Sequence, residues 1–137
     1  REAFTRSGGF PAGARKSQDI HLWLRLLVSN SFAHSDKSTT IRHEEASGVA
    51  LRRGVVPEHF SYFLGTEEGR KFLSEPEMIK FLASNLIRHV AGHRLRYDDG
   101  VVLELNKLAS SLPLIDQFKS RAISLLPRKV IAWIVNR

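Results

Sequence analysis

The chain contains no cysteine. That excludes a disulfide framework, a thiolate nucleophile and a cysteine-based zinc site, and it fits a reducing or redox-indifferent compartment. Long apolar runs are also missing: none approaches the roughly 20 residues that cross a bilayer as a helix, so no transmembrane segment is expected and any membrane contact would come through partners. No Gly-rich phosphate loop ending in Lys-Ser or Lys-Thr occurs, no Gly-x-Gly-x-x-Gly and no Gly-x-Ser-x-Gly elbow. The familiar sequence signatures of nucleotide binding and of a positioned serine nucleophile are therefore absent, and no cofactor is expected. The single methionine is Met78. Since it does not stand at position 1, the chain is expected to be a processed product or a piece of something longer.

What is there is ordinary in bulk and uneven in charge. The 137 residues are 42% hydrophobic and 26% charged, one domain's worth with enough apolar material for a core. The net charge of +7 is distributed as +3 over residues 1–16, −1 over 17–83 and +5 over 84–137. Two basic ends flank a near-neutral middle, which favours an anionic partner such as RNA, DNA, an acidic protein face or an anionic lipid surface. The candidate contacts are Arg1, Arg6, Arg15 and Lys16 in the first segment, and Arg88, Arg94, Arg96, Arg121, Arg128 and Lys129 in the last. Solubility alone also accounts for such an excess.

Residues 1–16, REAFTRSGGFPAGARK, combine three glycines, a proline and scattered arginines. This composition predicts a flexible, extended basic arm. Arginine-rich, acid-poor stretches of this kind also surround mitochondrial targeting cleavage sites. Residues 17–137 then form a single helical domain.

The central stretch is 74–96. Ile79, Leu82, Leu86 and Val90 repeat at helical spacing with Ala83 and Ile87 beside them, one apolar face of a 3.6-residue period. Its start is marked twice, by a Ser74/Glu77 capping box or by Glu75 as cap with Pro76 at the first helical position. Gly92 and the cations after it make the end ambiguous. Before this stretch, 17–33 reads as a helix apolar nearly all round, with Ser17 or Asp19 as cap. Such a helix is either centrally buried or offers a second face to a partner; central burial is the expectation. A shorter helix follows from Thr39 or Thr40 to Arg53, stopped by Gly54, with Glu44, Glu45, Arg52 and Arg53 matched to its dipole. Pro57 opens a helix that ends at Gly65, and Thr66 caps another through Leu73. Phe-Leu recurs at 63–64, 72–73 and 81–82, read as aromatic anchors dropped into one core.

After the turn signal at Tyr97–Gly100, Val101, Leu105, Leu108 and Leu112 keep helical spacing, which outweighs a hairpin. Pro113 closes that helix. The next uses Leu114, Ile115, Phe118, Ala122, Leu125 and Leu126 as its apolar face and ends before Pro127. A last short helix over 128–137 groups Val130, Ile131, Ile134 and Val135. The expected fold is all-α, a compact bundle or stacked hairpins of about six to eight short helices.

Three constellations carry possible chemistry. Arg88-His89-x-x-x-His93 resembles the Arg-polar-x3-His motif of HEPN ribonucleases, small all-helical proteins that cleave RNA without metal at a dimer cleft. The resemblance implies Arg88 on the scissile phosphate, His89 as the polar second residue and His93 as acid or base, roles that suit a cation beside a titratable imidazole. It covers six residues, and two further Arg/His pairs, Arg15/His21 and Arg53/His59, share the allowed spacing. The same residues also read as basic side chains at a helix end. His89 and His93 form an i, i+4 pair that could hold a metal with Asp98 or Asp99, but position 90 lacks the glutamate of metalloproteases. Serines are plentiful, with none marked by its neighbours as a nucleophile.

The residues together point to a non-catalytic subunit that docks into a larger assembly through the basic arm and basic C-terminal half. The arm directs the expectation to a mitochondrial assembly, a ribosome or an energy-converting complex, with the cytoplasm as the other location. The alternatives are a metal-independent ribonuclease using Arg88 and His93, and a DNA-binding module of a longer protein.

Overall fold

The computed structural model describes residues 1–13, 16–30 and 54–135. Over these residues the protein is all-helical and compact, with eight α-helices, two short 3₁₀ turns and no strand. The helix expected between Thr39 and Arg53 lies outside the described residues.

The first segment departs from the extended arm. Glu2–Arg6 forms a short helix, α1, and the chain turns back after it so that Phe4 and Phe10 meet edge to face at 5.7 Å. The segment is also tied to the body of the fold. Gly8 lies against the Arg25 guanidinium, and the Lys16 carbonyl accepts a hydrogen bond from the Glu58 N–H at 3.0 Å. Glycine and proline density therefore gave tight turns here, and the aromatic pair closes them.

α2 (Gln18–Ser29) starts after Ser17, which adopts φ 61 and makes no side-chain cap. It buries His21, Leu22 and Leu24, while Trp23, Leu27 and Val28 remain 55%, 51% and 40% exposed. The expectation of central burial is thus corrected: the helix uses one face for the core and keeps the other outside. α3 (Glu58–Gly65) follows Pro57 and buries Phe60, Phe63 and Leu64 almost completely. The Thr66 hydroxyl accepts from the Gly69 N–H at 2.9 Å and so caps α4 (Glu67–Arg70). A 3₁₀ turn, Lys71–Ser74, leads into the central helix.

That helix, α5 (Pro76–Leu95), begins with Glu75 at the cap position and Pro76 at its first turn. Ser74 instead donates to the Lys71 carbonyl at 3.1 Å, so the second of the two start signals is the one used. Leu82, Leu86 and Val90 are 0% exposed. α6 (Asp99–Leu108) packs on α5 through Val101, Val102 and Leu105 and continues as a 3₁₀ turn over Ala109–Ser111. α7 (Leu114–Leu125) and α8 (Arg128–Val135) also pack against α5, each preceded by a proline. Of the three Phe-Leu pairs, Phe63 and Phe72 meet edge to face at 5.5 Å near the core. Phe81 stays 38% exposed while Leu82 is buried, so only two of the three aromatics serve as anchors.

Helix α4 packs so close to α3 that a Cβ on Gly69 would run into the Tyr62 carbonyl and the Phe63 backbone, whereas one on Gly100 in α6 would meet nothing within 4 Å. Gly69→Ala is therefore expected to lower stability by several kcal/mol, roughly 2–5 as for other large steric or core changes. Gly100→Ala should raise it by about 0.5–1 kcal/mol through helix propensity. Urea melts of the two variants beside the parent check both signs.

Candidate functional site

Two features collect unusual side chains: a seam of buried histidines and a set of exposed apolar faces.

The seam joins α2, α3 and α5. His89 and His93, one turn apart on α5, lie with ring centroids 6.1 Å apart. His59 of α3 approaches His89 at 6.2 Å. His21 of α2 stacks on Tyr62 at 4.4 Å and meets Phe63 edge-on. His21, His59 and His93 are each at most 2% exposed. Both ring nitrogens of His21 and His59, and Nε2 of His93, have no hydrogen-bond partner among the described residues. The one anchored nitrogen is His93 Nδ1, 3.0 Å from Asp98 Oδ2, and that same oxygen accepts from the Gly54 N–H at 2.9 Å.

Burial keeps these rings neutral. It pushes the His59 pKa down to about 3, with the neighbouring His89, His21 and Lys16 adding to the effect. His21 falls to about 4, through burial and then the Arg25 charge, with Glu68 opposing. His89 also falls to about 4, through burial, Lys16, His93 and Arg96. Burial lowers His93 too, and its hydrogen bond to Asp98 restores part of that. For Asp98 burial works upward, but the hydrogen bonds from Gly54 and His93 outweigh it and hold the carboxyl below its usual value. Lys16 is lowered by burial and by Arg96, against the pull of Asp98.

The expected chemistry can now be located. His93 has an orienting carboxylate, as a general acid or base would, but its other nitrogen is sealed inside the fold. Arg88 is exposed and lies five positions from His93, about 140° around the helix. Within one chain the two do not face a common site. His89 is half-buried between His59 and His93. Of the other ligands considered for a metal, Asp99 is taken by Arg94 at 2.7 Å and Arg128 at 3.7 Å. Among the described residues no group of three or more His, Cys, Asp or Glu side chains is placed to hold a metal ion.

The basic candidates divide into inward and outward groups. Arg128 stacks on the Tyr97 ring at 3.6 Å and donates from Nε to the Arg94 carbonyl at 2.9 Å. With Asp99 this makes a clamp holding α8 to the end of α5. Lys16 and Arg94 are half-buried, whereas Arg1, Arg6, Arg88, Arg96, Arg121 and Lys129 are exposed. Arg15 lies outside the described residues.

The apolar faces are what the pattern of residues did not disclose. α7 is inverted. Leu114, Phe118 and Leu125, the stripe expected to point inward, are 80%, 77% and 82% exposed, and Ile115 is 63% exposed. Its inward side is largely polar: Ser120, fully buried, donates to Asn106 Oδ1 at 2.6 Å, and Gln117 Nε2 donates to the Leu112 carbonyl at 2.8 Å. Only Ile123 of this helix packs, partly buried, against the main core. On α8, Ile131 is buried while Trp133 and Ile134 are 57% and 48% exposed. A groove of about 570 Å³ runs between α2 and α5, lined by Trp23, Leu24, Leu27, Val28, Met78 and Phe81. Glu75 and Glu77 also line it. Helical periodicity revealed the stripe on α7 but could not say which way it faces; Phe81 was concealed by its neighbour Leu82.

The histidine seam makes stability depend on pH with a definite sign. In the unfolded chain each imidazole protonates near 6.5, while in the fold protonation waits until about 4 or 3. The unfolded state therefore binds more protons as pH falls through this window. Stability is full above about pH 6.5 and is lost on acidification toward the folded values. One pKa unit is worth about 1.4 kcal/mol, so His59 alone should account for a loss of about 2 kcal/mol near pH 5. Urea melts between neutral and mildly acid pH check this, and His59→Asn should give a shallower acid limb whatever it does at neutral pH.

Set against protein-family models, curated proteins and solved structures, the chain matches none.

Proposed function

We propose that the chain is a non-catalytic docking subunit of a larger assembly. The observation that carries this is the inverted helix α7, with its apolar stripe outward and polar side chains inward. Monomeric proteins seldom present several large side chains in one exposed stripe, and surfaces that do are sites of association. The groove beside α2 and the outer face of α8 add to it. The buried ring of His93 offers no accessible acid or base, which supports binding over catalysis. It also leaves the ribonuclease alternative with only the exposed Arg88. No observation favours the DNA-binding alternative over the others.

The exposed Arg1, Arg6, Arg88, Arg96, Arg121 and Lys129 suit an anionic neighbour, either RNA or an acidic protein face. The arginine-rich first segment supports a mitochondrial ribosome or energy-converting complex. No helix among the described residues is long and apolar enough to cross a membrane.

Native purification from the source tests the reading. Other proteins in fixed stoichiometry, with or without RNA, are the expected result, and recovery of the chain with no companion overturns it. Leu114→Ser and Phe118→Ser should each change unfolding free energy by less than about 0.5 kcal/mol, as exposed substitutions do. They should nonetheless reduce the yield of co-purifying partners, a separation that a purely structural role for α7 would not give.

A further inference from the structure

One apolar surface of the molecule projects and another is recessed. α7 is a ridge. Leu114, Phe118 and Leu125 project within about 40° of one another around its axis, each at least 77% exposed. The exposed Arg121 stands beside them, whereas Lys119 lies about 120° around the helix and pairs with Asp116 at 3.4 Å. Between α2 and α5 lies a groove. Leu24 and Met78 are buried at its floor and Leu27, Val28 and Phe81 are exposed along its sides. Among the described residues, the charged side chains that line it are Glu75 and Glu77, the latter 3.9 Å from the exposed Lys80.

We propose that the α7 ridge of one molecule seats in the α2–α5 groove of a second copy of the same chain. An amphipathic helix reading into an apolar groove through residues spaced i, i+4 and i+11 is a recurrent mode of recognition. Here the helix comes already folded, because its polar side is fixed to the fold through Ser120 and Gln117. Little ordering is needed on binding, which favours association. Charge selects the same pairing. The Arg121 cation beside the ridge meets the carboxylates of the groove, whereas ridge on ridge would bring Arg121 against itself, and groove on groove would do the same to Glu75 and Glu77. The net charge of +7 opposes any self-association at long range, but with a Debye length of about 8 Å at physiological salt that repulsion is largely screened beyond the contact. The ridge and the groove share no residue, so the contact is heterologous. It either closes into a ring or propagates.

This inference rests on the docking reading and names one of its partners. Sedimentation velocity of the whole chain over a dilution series at physiological salt tests it. The parent should show mass rising with concentration. Phe118→Glu in the ridge and Leu27→Glu in the groove should each hold the chain at monomer mass. An equimolar mixture of those two variants should form a 1:1 dimer, since one retains its groove and the other its ridge. Glu77→Lys should weaken association, and a copy carrying Arg121→Glu should recover binding to it. A parent that stays monomeric throughout overturns the proposal. So does a parent that associates while the mixture remains monomeric, because like faces would then be pairing. If other proteins still co-purify with a monomeric chain, the docking reading stands and only the second copy falls.

Discussion

Burial of the α5 stripe is the constraint on which the rest of the structure depends. Leu82, Leu86 and Val90 are fully excluded from water, with Phe60, Phe63 and Leu105 against them in the same cluster. Each side chain of this size contributes about 1.5–3 kcal/mol when fully buried. α6, α7 and α8 all pack on α5, so they hold their places by leaning on one 20-residue helix. The C-terminal end of α5 is secured by polar contacts instead. Asp98 receives His93 and Gly54, while Asp99 and Tyr97 receive Arg94 and Arg128. Two adjacent carboxylates thus serve different ends: the first sets the junction of α5 with α6, and the second fastens α8.

The inverted helix shows what that arrangement costs. α7 sits on α5 with Ser120 and Gln117 facing in and satisfied by hydrogen bonds, each worth only about 0.5–1.5 kcal/mol net. Turning the helix over would bury Leu114, Phe118 and Leu125 and return Ser120 and Gln117 to water, at the cost of the bonds they make to Asn106 and the Leu112 carbonyl. The hydrophobic term alone would favour the turned-over helix in an isolated molecule. A chain that keeps the other orientation leaves its stripe at the surface, which is the physical ground for proposing a docking surface there.

Much of the architecture was legible in order and extent. Pro57, Pro76, Pro113 and Pro127 mark helix starts, Gly65 marks a stop, and the Thr66 cap is used as its position suggested. These signals are local, and local backbone chemistry decides them. Orientation was not legible. Nothing in the spacing of Leu114, Phe118 and Leu125 distinguishes an inner face from an outer one, because periodicity gives a stripe and only the neighbouring helix gives its direction. The same limit applied to α2, where an all-round apolar pattern fitted both burial and a second face. The histidine seam was invisible for a different reason. His21, His59 and the His89/His93 pair are separated by tens of residues, and only the packing of α2 and α3 on α5 brings them into one place. Residues 1–13 depart from the extension that their glycine content suggests, because the Phe4–Phe10 contact that folds the segment needs both ends of a turn.

The seam and the charge asymmetry turn out to be connected. The imidazoles behave as aromatic packing, His21 on Tyr62 and Phe63, His59 on Phe60. They stay neutral because burial opposes their protonation, helped by nearby cations: Arg25 at His21, Lys16 at His59, and Lys16 and Arg96 at His89. Lys16 itself is drawn inward, where Asp98 partly compensates the loss of water. Arg94 and Arg128 are likewise committed to Asp99. Part of the basic excess that suggested an anionic partner is therefore holding the fold together. Other cations stay outward, among them Arg1, Arg6, Arg88, Arg96, Arg121 and Lys129. One of these, Arg121, stands beside the exposed apolar stripe of α7. At that place charge lies next to apolar area, and a partner of the kind proposed would be chosen by shape and burial first, with charge setting which of several apolar surfaces it accepts.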